Sequence, residues 1–212
     1  MIGYACSENK SYIPDEIHIA RKLLNGINTD GKSQVVINNK RLESIVLSIQ
    51  GKSKEDLKKH IKNLNLLNRS AKYYLNNTGS FTIGGFDADS GCTGRKIVVD
   101  SYGPRVPVGG GAFSGKDATK VDRSGAYMAR WIALQLLKKY GASEVLIKLG
   151  YVIGGVDPVL KLAYINGKEE TFDFDCRPLS IIDRFDLRKP IFTATAKNGH
   201  FGFINIYPWE KI

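Results

Sequence analysis

Segments with strand-like apolar patterns come in pairs along this chain, and amphipathic helical stretches separate the pairs. Ser33 to Ile37 and Leu42 to Gln50 read as strands, with Asn38-Asn39 as a tight turn between them. Phe81 to Ile83 and Lys96 to Ser101 read as a second pair, and Val145 to Tyr151 with Val159 to Ile165 as a third. Asn166-Gly167 then turns the chain back toward Phe172. The helices run from Pro14 to Leu24 (Ile17, Ala20 and Leu24 on one face, Gly26 as stop), from a Ser53 cap paired with Asp56, from Ser124 to Tyr140, and from Pro178 to Phe185. The second carries Leu57, Ile61 and Leu64 on one side and Lys54, Lys58, Lys59 and Lys62 on the other. The third carries Ala129, Ile132, Ala133, Leu136 and Leu137, with Gly141 as its stop. The pattern predicts an α+β fold of repeated β-β-α-type units, with mostly antiparallel sheets covered by helices. Exposed sheet faces would then favour an oligomer. Three segments are expected: a first α+β unit over 1–78, a glycine-rich segment over 79–123 and a C-terminal α+β unit over 124–212.

With 212 residues, 42% of them hydrophobic and 25% charged, the chain is long enough to bury a real core. No apolar run approaches the roughly 18 residues that span a bilayer. The start, Met1-Ile2-Gly3-Tyr4-Ala5-Cys6-Ser7, lacks the basic and apolar stretches of a signal peptide, so a cytoplasmic location is expected. A surplus of 31 Lys and Arg over 21 Asp and Glu, net charge +10, favours an anionic partner. Cys6, Cys92 and Cys176 are too scattered for a zinc site or a disulfide framework. His18, His60 and His200 have no neighbouring Ser or Cys that would make a nucleophile and base readable. Aromatics interleaved with basic residues, as nucleic-acid binding requires, are hinted at only by Lys72-Tyr73-Tyr74, so no nucleic-acid partner is expected.

The chemistry concentrates between Gly84 and Arg123. Glycines there (Gly84-Gly85, Gly91, Gly94, Gly109-Gly110-Gly111, Gly115) let backbone N–H groups approach an anion. Arg95, Lys96, Lys116, Lys120 and Arg123 supply positive charge for a polyphosphate, and Asp89, Asp117 and Asp122 supply hard oxygen ligands for Mg²⁺. That set suits transfer chemistry in which charge builds on a leaving phosphate. Gly110 to Lys116 also fits G-x-x-x-x-G-K, but Asp117 stands where a P-loop needs Ser or Thr, and no strand leads into it. A P-loop is therefore excluded.

Gly109 to Asp117 reads GGGAFSGKD, followed by Lys120-Val121-Asp122-Arg123-Ser124; upstream stand Thr93-Gly94-Arg95-Lys96-Ile97 and Asp100-Ser101-Tyr102-Gly103. Gly199-His200-Phe201-Gly202 and Pro208-Trp209-Glu210-Lys211 close the chain, while Gly3-Tyr4-Ala5 and Asp30-Gly31-Lys32-Ser33-Gln34-Val35 open it. In this order the motifs resemble those of the S-adenosylmethionine synthetase (methionine adenosyltransferase) family across essentially the whole chain. The resemblance implies that family's fold in truncated form and its reaction: the methionine sulfur attacks C5′ of ATP, and the triphosphate leaves and is hydrolysed to phosphate and pyrophosphate. Mg²⁺ and K⁺ are the implied cofactors.

Carried over by motif, the resemblance implies that Arg95 and Lys96 bind triphosphate, Lys116 stabilises the leaving oxygen, Lys120 faces the ATP phosphates and Asp122 holds Mg²⁺. It places Asp89 at the methionine amino group, Asp30 and Lys32 at ATP, and Gly110, Gly111 and Ser114 among the ATP- and methionine-binding residues. Two departures qualify it. Val108 stands where a His usually precedes the glycines. The family's leading segment, with its HPDK and GDQG motifs, gating loop and K⁺-binding Glu, is expected to be absent, which leaves the potassium site incomplete. Family active sites lie between subunits, so the expected partners are a second copy or a complementary synthetase chain that supplies that segment in trans. The alternative is a non-catalytic or regulatory protein that binds ATP, S-adenosylmethionine or a full-length synthetase. No membrane partner is expected.

Overall fold

The computed structural model describes residues 1–79 and 81–212. In chain order its elements are β1 (Ile2–Cys6), α1 (Asp15–Leu24), β2 (Gly31–Asn38), β3 (Arg41–Ile49), α2 (Lys54–Asn63), β4 (Lys72–Leu75), α3 (Ile97–Asp100), α4 (Val121–Tyr140), β5 (Glu144–Gly150), β6 (Leu160–Ile165), β7 (Lys168–Glu170), α5 (Pro178–Phe185) and α6 (Thr195–Asn198). Short 3-10 turns occupy Gly85–Asp87 and Pro208–Glu210. The α+β class with largely antiparallel sheets is the fold observed. The chain divides into two compact units. One comprises Met1–Pro14 with Thr93–Ile212, the other Asp15–Cys92. The division falls inside the glycine-rich stretch, between Cys92 and Thr93.

The unit 15–92 is a three-stranded sheet in the order β2-β3-β4. β2 and β3 form an antiparallel hairpin, and β4 lies parallel to β3 after the α2 crossover. Its core is Leu23 of α1, Ile45, Leu47 and Ile49 of β3, Leu57 and Ile61 of α2 and Leu75 of β4. The Ser53 capping box forms as the sequence indicates, with Asp56 N–H donating to the Ser53 hydroxyl at 3.1 Å and Ser53 N–H to the Asp56 carboxylate at 3.1 Å. The hairpin turn sits one residue later than expected: Asn39 and Lys40, with φ of 49° and 61°, are its left-handed pair. β4 was not expected. Four residues carry too little periodicity to be read alone, and they become a strand because β3 offers a free edge.

The other unit holds a four-stranded sheet, β1-β5-β6-β7, antiparallel throughout. Asn166-Gly167 makes the expected β6-β7 turn, both residues having positive φ. α4 crosses β1 and β5 and is buried along most of its length, including all five residues of the expected apolar face. It starts at Val121, three residues before the expected Ser124, and stops at a left-handed Gly141.

Two expected strands are corrected. Lys96 to Ser101 is not a strand: Ile97–Asp100 forms the single helical turn α3, with Asp100 and Ser101 N–H groups donating to the carbonyls of Lys96 and Ile97. β-branched residues favour strands only where a neighbouring strand is available, and this segment has none among the described residues. Phe81 to Ile83 is not a strand either. It is an extended connector held by single bonds from Gly51 N–H to the Phe81 carbonyl and from the Gln50 amide to the Thr82 carbonyl.

β1 reaches α4 only because residue 3 is glycine. A Cβ there would stand 2.0 Å from the Ala129 carbonyl carbon, 2.1 Å from its oxygen and 2.6 Å from the Arg130 nitrogen. All three are backbone atoms, so no rotamer change relieves the overlap. Gly3→Ala is therefore expected to cost about 3 kcal/mol, the upper part of the range for overpacked cores. In scanning calorimetry the melting temperature of this unit should fall by roughly 6–12 °C. An unchanged melting temperature would show that β1 and α4 can part without cost.

Candidate active site

The residues expected to bind the anion divide between the two units. Arg95, Lys96, Gly110, Gly111, Ser114, Lys116, Lys120 and Asp122 belong to the unit that contains α4; Asp30, Lys32 and Asp89 belong to the unit 15–92.

In the α4 unit a cleft of about 150 Å³ opens between α3, the glycine loop and the first turns of α4. Ile97, Ser101 and Tyr102 form one wall, Val108 to Gly111 with Phe113 another, and Asp122 with Ala126 a third. Lys116 donates from Nζ to the Asp122 carboxylate at 2.6 Å, with side chains 29% and 45% exposed respectively. Gly111 fits under this pair. A Cβ on it would lie 2.5 Å from both Cγ and Oδ1 of Asp122, so only glycine lets the carboxylate take this position. Around Gly109 and Gly110 the space is open, and neither has a left-handed φ. Their use is the uncovered backbone they present.

Next to this pair, Asp117 closes a small loop. Its Oδ1 accepts from the Thr119 N–H at 2.7 Å and from the Thr119 hydroxyl, and these bonds hold its carboxyl below the usual carboxylate range. Lys120, the N-terminal cap residue of α4, donates to Thr119 Oγ1 at 3.0 Å and to Asp117 at 3.4 Å. Asp117, read from sequence as a metal-ligand candidate, thus spends one oxygen on its own loop. Arg95 and Lys96 stand exposed on the turn that leads into α3. Lys96 Nζ makes a long bond, 3.4 Å, to the Arg95 carbonyl.

Arg123 is a correction. The sequence offers it as a phosphate cation, but it is 3% exposed and its donors are spent inside the protein. It donates to Tyr127 Oη at 2.9 Å, to the Lys116 carbonyl at 2.7 Å and to Thr195 Oγ1 at 3.0 Å, and it lies 3.7 Å over the Phe192 ring. The Tyr127 oxygen accepts from Arg123 and shares a hydrogen bond of 2.7 Å with Nδ1 of His200. Burial pushes the Tyr127 hydroxyl up to about 12, so it stays protonated. His200 also ties two segments together: its N–H donates to the Asp100 carbonyl, and its own carbonyl accepts from Trp209 Nε1 at 2.9 Å. Phe201 stacks on Tyr102, with ring centres 4.6 Å apart. The closing GHFG and PWE motifs are therefore the packed backing of the cleft.

Sequence reasoning missed a second buried arginine. Arg130 and Glu210 are fully buried and paired at 2.9 Å. The guanidinium also donates to the carbonyls of Tyr4, Tyr12 and Ser11, and Glu210 accepts from Gly202 N–H. The signal was present: a charge at position 130 interrupts the apolar stretch from Ala126 to Leu137.

In the unit 15–92, Asp30 accepts from Gly85 N–H at 3.1 Å, while Gln50 exchanges bonds with the Asp30 backbone. A Cβ on Gly84 would lie 2.6 Å from Gln50 Oε1 and 2.8 Å from Asp30 Cβ. Asp30 thereby anchors the loop that carries Asp89. Asp89 folds back on its own loop through Gly91 N–H at 2.9 Å, and Lys32 projects exposed from β2.

Residues 83–211, more than half of the chain, match the family model "S-adenosylmethionine synthetase, C-terminal domain". The chain belongs to the S-adenosylmethionine synthetase family. Over its whole length it is 41% identical to the S-adenosylmethionine synthase of Clostridium botulinum (strain Alaska E43 / Type E3) and 38% identical to that of Brachyspira hyodysenteriae (strain ATCC 49526 / WA1), covering 64% of each. Over 99% of its length it is 40% identical to the synthase of Oenococcus oeni (strain ATCC BAA-331 / PSU-1), covering 65% of that protein. The chain thus spans less than two thirds of the length of these relatives. Within the matched region it is also the shorter: 251 aligned positions against 212 residues leave at least 39 positions of the Clostridium synthase without a counterpart. Among the described residues no helix is long and apolar enough to cross a membrane.

Proposed function

We propose that this chain forms the triphosphate-holding part of a methionine adenosyltransferase site, which the family's leading segment completes. The observation that carries this reading is the Lys116–Asp122 pair at the cleft, seated on a glycine where any side chain would displace the carboxylate. In the reaction the methionine sulfur forms a bond to C5′ of ATP as the C5′–oxygen bond breaks. The electron pair leaves with triphosphate, whose departing oxygen becomes more negative. A fixed ammonium beside that oxygen stabilises the transition state more than the substrate, which is what accelerates the step. Lys116 has that role. Arg95, Lys96 and Lys120 bind the outer phosphates, and the open backbone of Gly110 with Gly111 and Ser114 lets the chain of phosphates lie close. Water then cleaves the bound triphosphate to phosphate and pyrophosphate.

Asp122 fits Mg²⁺. The ion is commonly held by one or two carboxylates together with substrate phosphate oxygens, and no group of three or more His, Cys, Asp or Glu gathers among the described residues. When bound it neutralises charge on the phosphates. Asp122 would hold the ion, and the Lys116 ammonium beside it is the cation assigned to the leaving oxygen. Asp30, Lys32 and Asp89 are assigned to ATP and to the methionine amino group. K⁺ is assigned to residues of the supplied segment.

The test is to mix the chain with a separately expressed leading segment of the Clostridium botulinum synthase and follow S-adenosylmethionine formation. Activity absent from either part and present in the mixture is expected. Failure to form both complex and product would overturn the proposal. The positions lacking relative to the synthases favour a second reading, a binder that joins and tunes a full-length synthetase. It predicts a complex with intact enzyme whose activity changes, without product from the mixed halves.

A further inference from the structure

Asp122 and Arg123 are consecutive residues on the first turn of α4, and both hold Lys116. Asp122 takes the ammonium at 2.6 Å; Arg123 takes the main-chain carbonyl at 2.7 Å. We propose that Arg123 is a positioning residue, which fixes the Lys116 backbone so that its ammonium stands where the leaving oxygen of triphosphate develops charge. The inference rests on the reading of Lys116 as the leaving-group cation.

Three features support it. A lysine side chain is long and freely rotating, so its charge is placed accurately only when its backbone is anchored. The turn before Lys116 is one that glycine permits, with Gly115 at a φ of 86°, and the Lys116 N–H donates to the Phe113 carbonyl over a longer 3.2 Å. Arg123 is in turn rigid: Tyr127, Thr195 and the Phe192 ring hold its guanidinium plane on separate sides. A buried cation is costly, and a fold that needed only packing here would be served by an apolar side chain. What the guanidinium adds is a fixed donor aimed at one loop carbonyl.

The test is a double-mutant cycle on the full chain, with Mg²⁺ and inorganic triphosphate as probe and titration calorimetry as readout. Arg123→Met is expected to weaken triphosphate binding about tenfold or more, the scale of a displaced charged group. In a Lys116→Met background the same change should cost nothing further, whereas in an Arg95→Met background it should cost its full amount. A merely structural arginine would weaken binding equally in both backgrounds, and that result overturns the inference while leaving Lys116 in its role. If Lys116→Met alone leaves binding unchanged, or the unaltered chain does not bind triphosphate, the reading of Lys116 fails and the inference with it. Should Arg123→Met unfold, Arg123→Lys, which keeps the charge but not the fork, and Thr195→Val, which removes one anchor, carry the same cycle with the same opposing outcomes.

Discussion

Glu210→Gln is expected to lower the stability of the α4 unit by about 3–5 kcal/mol, the cost of leaving a buried charge without its partner. The arrangement leaves Arg130 no alternative. Its side chain and that of Glu210 are 0% exposed, so water cannot replace the carboxylate. All five guanidinium N–H groups are engaged, two with Glu210 and three with the carbonyls of Tyr4, Tyr12 and Ser11. A neutral amide keeps the shape but removes one acceptor oxygen and the counter-charge. The pair staples β1 and the turn after it, the middle of α4 and the closing 3-10 turn, three parts of the chain that are far apart in sequence. Replacing both residues by apolar ones should recover only part of the loss, because the Tyr4 carbonyl would remain buried without its Arg130 donor. Scanning calorimetry of the single and double variants reads this directly. A fall in melting temperature below about 2 °C for Glu210→Gln, under 1 kcal/mol in a chain of this size, would mean that the pair is dispensable.

Lys116→Met is expected to act on rate and leave the fold alone. In the complemented assay, adenosyl transfer should fall about 10²–10³-fold, as it does when one preorganised donor to a developing oxyanion is removed. The ion pair with Asp122 is part-exposed at both ends, and such pairs contribute at most about 1 kcal/mol to stability. The melting temperature should therefore barely move. Lys116→Met thus separates the site from the scaffold, and Glu210→Gln does the reverse. A loss of activity smaller than about fivefold would remove Lys116 from the leaving-group role.

The two variants also mark the line between what could be read in advance and what could not. The helices over 54–63, 121–140 and 178–185 were legible because each carries its own apolar stripe and its own start or stop signals, all within a few residues. The β6-β7 turn was legible for the same reason, since Asn-Gly favours it locally. Around Lys116 the sequence shows a glycine-rich, cationic stretch, and the structure adds the ion pair of Lys116 with Asp122.

Position 123 was not. An arginine beside Asp122 and Lys120 has the same sequence signature whether it faces a phosphate or the core, and only the approach of Phe192 and Thr195 from some 70 residues away decides that it is buried. The same holds for Ile97 to Asp100, where residues with strand preference form a helical turn for want of a strand to pair with. β4 is the converse, since a segment too short to declare itself is completed by the edge of β3. Local preferences and residue chemistry are properties of the sequence by itself. Burial and pairing depend on neighbours that are distant along the chain, and a charged side chain changes from ligand to strut according to which of them arrive.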